Sequence, residues 1–140
     1  MGQYKHYLLA ISFGLGLAYA SIFIVGFGAA VAIPADIVKP LAQYSALLSS
    51  TLIDLVTIAL PLAATFLLCV FISSLVNKRP NSLFYILQLI PLFVLHIYFM
   101  LQMPSLSKMG LIPTLPRYLL LGWCLYYVLR RNKGSKTAAL

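Results

Sequence analysis

Glutamate is absent from this 140-residue chain, and its only carboxylates are Asp36 and Asp54. That scarcity excludes catalysis by paired carboxylates and leaves no acidic cluster for a metal ion. Histidine is equally sparse: His6 and His96 stand far apart. Cys69 and Cys124 form neither a C-x-x-C nor a Cys/His spacing, so they read as buried structural thiols. No Gly-rich phosphate loop occurs. No enzymatic activity, cofactor or metal is expected.

Charge of either sign is also scarce. Charged residues make up 9% of the chain and hydrophobic residues 62%, where a soluble globule has about 25% and about 45–50%. Such a chain cannot show water a polar surface. In a bilayer the demand is instead that backbone polar groups be satisfied within helices or a closed barrel. The apolar runs are long and do not alternate, so helices are expected rather than barrel strands. The expected fold class is therefore all-α, a polytopic integral membrane protein of four transmembrane helices arranged as two antiparallel hairpins in a single domain.

The four expected spans are 7–33, 46–76, 83–103 and 111–130, followed by a basic tail over 131–140. The first is an uncharged run longer than the roughly 20 residues that cross the hydrocarbon core. Lys5 and His6 before it, and Ala18-Tyr19-Ala20 within it, invite a signal-peptide reading, but apolar sequence continues to Ile33. The second run is interrupted by Asp54 and Pro61, and the third contains Gln88, Pro91, His96 and Gln102. The fourth is shortest, and needs a locally thinned bilayer or part of 109–115 to cross.

Orientation follows from the basic residues. With four spans, Lys5, Lys78, Arg79, Arg130, Arg131, Lys133 and Lys136 share one side, and Lys39, Lys108 and Arg117 the other. Loops rich in Lys and Arg stay cytoplasmic, so a multi-pass inner-membrane protein with both termini inside is expected. Tyr4, Tyr7, Phe84, Tyr85, Tyr126 and Tyr127 would form the inner aromatic belt, and Tyr44, Tyr98 and Tyr118 the outer one. The net charge of +8 suggests nucleic acid less than lipid, because Arg130, Arg131, Lys133 and Lys136 follow directly on a span, where anionic headgroups attract them.

Loops and small residues supply the remaining expectations. Asn77-Lys78-Arg79-Pro80-Asn81 is a short polar turn that should make spans two and three antiparallel neighbours. The outer loops, 33–44 with Pro34, Asp36, Lys39 and Pro40, and 104–117 with three prolines among Met109, Leu111, Ile112 and Leu115, are apolar enough to lie in the interface or cover the outer mouth. In span one Ala10, Gly14 and Ala18 recur every four residues, and Gly26/Ala30 and Gly28/Ala32 repeat that spacing. These positions suit close helix packing, within the chain or against a second one.

Asp54 is the one acid inside a span. A lipid-facing carboxylate at mid-membrane costs roughly 2.5 to 3.5 kcal/mol on insertion scales, so it should turn inward and find a partner. Asp54 lies about 12 Å below Ala46, and His96 about 10 Å below Met103, at the 1.5 Å rise of a helix. An Asp54–His96 contact is the first expectation and Arg117 the alternative partner, with Thr57 and Gln102 completing a candidate proton or substrate site. Two functional readings follow. The first is a non-enzymatic interaction module, working as a homo-oligomer or as an accessory, assembly or immunity-type subunit of a larger membrane complex, with lipids as the other partner. The second is a small transporter or flippase for an amphipathic or anionic substrate, using Asp54, His96 and Arg117.

Overall fold

In a computed structural model the chain is described over 3–30, 34–77, 80–102 and 112–137, with side chains throughout except at Gln3, Ala29, Ala30, Ala35 and 133–137. Every described element is helical. The order is α1 (Gln3–Ala30), α2 (Ala35–Tyr44), α3 (Ala46–Asp54), a π-helical turn (Leu55–Ala59), α4 (Leu60–Val76), α5 (Ser82–Gln102), a 3₁₀ turn (Ile112–Thr114) and α6 (Leu115–Thr137). Three helical stretches are long and apolar enough to cross a membrane: Tyr4–Gly28, Ala46–Val76 and Ser82–Gln102.

The four long elements close a ring in the order α1, α5, α6, α4. At its centre, Leu17 of α1 meets Leu62, Ala63 and Phe66 of α4, Leu89 and Leu92 of α5, and Leu121 and Cys124 of α6. A second cluster, towards the α4–α5 turn, joins Ala10, Phe84, Tyr85 and Val128. Cys69 and Cys124 are free thiols, and both belong to the central packing. Ala10 stands level with Phe84 and Tyr85, and Gly14 level with Gln88 and Pro91, so α1 and α5 run parallel.

This ring corrects one expectation. The chain does reverse between α4 and α5, with Lys78 and Arg79 of the expected turn outside the described residues, but α4 and α5 are not side-by-side neighbours; they lie across the core from each other, with α1 and α6 between them. The reason is visible along α1. A Cβ at Gly14 would stand 2.7 Å from the Gln88 carbonyl oxygen and 2.9 Å from Pro91 Cγ, closer than real side chains approach. Only a glycine admits that contact, and with Ala10 and Ala18 also buried, α1 takes the position beside α5 that hairpin adjacency would give to α4.

Local chemistry explains three further departures. The segment expected to be an outer loop at 33–44 contains α2, an exposed helix whose first turn carries Asp36, where a carboxylate suits the helix dipole. Ser45 then caps α3, accepting a hydrogen bond from Leu48 N–H at 3.3 Å. The tail expected over 131–140 continues α6 as far as Thr137, and Asn132 Nδ2 donates to the Pro80 carbonyl at 3.0 Å, tying that helix to the α4–α5 turn. Phe84 and Tyr85, expected at an aromatic belt, are buried in the second cluster, whereas Tyr4, Tyr44, Tyr98, Tyr126 and Tyr127 are exposed. Most of the expected apolar loop over 104–117, with Met109 and Leu111, lies outside the described residues.

Candidate functional site

The widened turn after Asp54 originates at Pro61. Proline has no N–H to offer the carbonyl four residues back, and its ring crowds that carbonyl, so the hydrogen-bond register slips: Leu60 N–H bonds to Leu55 O, five residues earlier. Such π-turns insert an extra residue and re-aim the side chains on either side. Leu62, Ala63 and Phe66 thereby face the ring's centre, while Asp54 points at the start of α6. Gly28 permits the turn to sit against α1, since a Cβ there would lie 3.0 Å from Thr57 O and 2.7 Å from Ile58 Cγ1.

Asp54 is paired with Arg117. The guanidinium binds side-on, Nη2 donating to Oδ1 and Nε to Oδ2, the latter at 3.3 Å. Asp54 is 9% and Arg117 8% exposed, so the pair is closed within the protein. Bidentate charge-assisted bonds are the strong ones, and Arg supplies the matching planar fork. The expected Asp54–His96 contact is not formed. His96 Nδ1 instead meets Tyr118 Oη at 3.2 Å, and Tyr118 stacks on Phe93 with ring centroids 5.8 Å apart. The cause is the ring order: α6 separates the helices that carry Asp54 and His96, and its consecutive residues Arg117 and Tyr118 take one partner from each.

The other expected site residues do not join this cluster. Thr57 Oγ1 donates to Ile53 O at 2.8 Å, within its own helix, and Gln102 is exposed at the end of α5. Arg117 is buried and paired, and so does not act as an outer-loop cation. Arg130 and Arg131 are exposed on α6, while Lys133 and Lys136 lie on its last turns, their side chains outside the described residues.

Among the small residues, Ala10, Gly14, Ala18 and Gly28 are buried against other helices of this chain. Gly26 is not: like Gly16 and Gly122, it has no atom beyond its chain neighbours and its own helix backbone within 4 Å of where a Cβ would stand.

Sequence reasoning missed one interior group. Gln88 is 0% exposed, and neither its Nε2 nor its Oε1 has a hydrogen-bond partner. A buried amide without partners costs roughly 1 to 3 kcal/mol. The signal was present, a glutamine in the middle of an apolar span, but Asp54 outweighed it. No family model matches this chain, and no curated protein or solved structure matches it significantly.

Proposed function

We propose that this chain is a four-span inner-membrane protein with both termini cytoplasmic, acting as a non-enzymatic interaction module: a homo-oligomer, or an accessory, assembly or immunity-type subunit of a larger membrane complex. Support for the fourth span comes from the two ties of α6. Arg117 holds its start to Asp54 and Asn132 holds its end to Pro80, so α6 runs alongside the π-turn and α4. Cytoplasmic termini are supported by the basic residues, seven of which fall on the side of the termini and three on the other in the four-span arrangement. Cysteine substitutions at Lys39 and Ser135 check this: a membrane-impermeant thiol reagent should label only the former from outside, and labelling of both from one side would refute the topology.

The observation that carries the interaction reading is the set of open glycines. Glycine in a helix interior costs about 1 kcal/mol relative to alanine, and among the described glycines close packing within this chain accounts for Gly14 and Gly28 alone. Gly16, Gly26 and Gly122 stand on exposed helix surface, where a second chain's backbone can approach closely. The transport reading finds less support, because it needs Asp54 and His96 beside a solvated path, whereas each is buried with its own partner. The test is mass measurement in mild detergent. Gly16→Leu or Gly122→Leu should release the bound partner or second copy while leaving the protomer's melting temperature in place. A parent protein that purifies as a bare monomer would end the interaction reading.

A further inference from the structure

A cleft of about 520 Å³ opens at the α4–α5 turn end of the ring, distant from Asp54. That volume falls within the range of roughly 300–1,000 Å³ typical of ligand sites. Its lining is graded along the helix axes. Leu67, Val70 and Phe71 of α4 line its apolar end, with Leu67 and Phe71 exposed at its edge; Ser74 follows, and Asn77, Arg131 and Asn132 stand at the level of the turn. Leu67 and Asn77 are separated by about 15 Å along the helix. Tyr85 and Val128, both buried, form the floor, and Tyr127 borders the opening.

We propose that this cleft binds one anionic phospholipid, its phosphate on Arg131 and an acyl chain against Leu67 and Phe71. Three observations select that occupant. The lining changes from apolar to polar in the direction in which a phospholipid does. Its cation is an exposed arginine, whose fork suits a phosphate, and no acidic side chain lines the cleft. The apolar edge, Leu67 and Phe71, is exposed on α4, part of a stretch apolar enough to cross a membrane, so a lipid can enter sideways without crossing water. The inference is independent of the interaction-module reading: a monomer would bind the lipid equally well.

Fluorescence quenching tests it on the full chain. Trp123, the only tryptophan, is exposed, so Trp123→Phe with Tyr127→Trp places a single reporter at the opening without disturbing the core. The protein is reconstituted in vesicles containing brominated phosphatidylglycerol or brominated phosphatidylcholine. The anionic lipid should occupy the site with about fivefold preference. Arg131→Gln should abolish the preference, Arg131→Lys should retain most of it, and Arg130→Gln, one residue outside the lining, should leave it unchanged. Equal quenching by the two lipids in the parent would overturn the proposal. So would an equal loss in the Arg130 and Arg131 variants, which would reduce the effect to general attraction by a basic helix end.

Discussion

Arg117 grips Asp54 side-on, pairing the first turn of α6 with the last residue before a π-helical turn. The contact joins residues 63 positions apart in sequence and closes the only ion pair found among the described residues. Its neighbour Tyr118 reaches α5, which lies across the ring from α4, through His96. The start of α6 therefore pins together two spans that lie across the core from each other.

Breaking that pair from one side should cost far more than removing it whole. Asp54→Leu or Arg117→Met alone leaves an uncompensated buried charge, and a loss of about 3 to 5 kcal/mol is expected. The double variant should recover to within about 1 kcal/mol of the parent. Asp54→Asn should fall between, because the amide keeps an acceptor for the guanidinium but loses the charge. Reversible unfolding in mixed micelles measures all four, and additive losses in the double variant would contradict a closed pair.

Tyr118→Phe keeps the stacking on Phe93 and removes only the hydroxyl that meets His96. Interhelical hydrogen bonds in membrane proteins average about 0.6 kcal/mol, so the loss should be of that order. His96→Phe in the Tyr118→Phe background should then cost little more from this contact, as a double-mutant cycle would show.

Glycine-to-alanine substitutions should divide by position. Gly14→Ala and Gly28→Ala force a methyl group against a neighbouring backbone carbonyl and should each destabilise by about 1 to 3 kcal/mol. Gly16→Ala, Gly26→Ala and Gly122→Ala meet nothing in the chain and should be neutral or stabilising by up to about 1 kcal/mol, the helix-propensity difference. Melting temperatures of the five variants in one detergent decide the matter.

Gln88→Met preserves side-chain length and removes the two unpartnered amide atoms. Stabilisation by about 1 to 3 kcal/mol is expected. A destabilised Met variant would show that the amide is satisfied in the working protein by a group that methionine cannot replace.

Much of this architecture follows from linear properties of the chain. Run length and the scarcity of charge make the chain helical and place its long apolar stretches. The cost of a lone carboxylate in hydrocarbon demands a partner for Asp54, and the Ala10, Gly14, Ala18 spacing marks a face built for close approach. These are statements about one helix at a time. Which helix fills a given face is decided between helices, by shape: Gly14 admits the Gln88 carbonyl and the Pro91 ring, so α1 lies beside α5, and α4 and α5, consecutive in the chain, stand opposite each other. With α6 between them, Asp54 and His96 receive Arg117 and Tyr118 in place of one another. Sequence determined which polar groups must be paired; the order of packing around the ring, set by where a backbone could come within van der Waals reach, decided the partners.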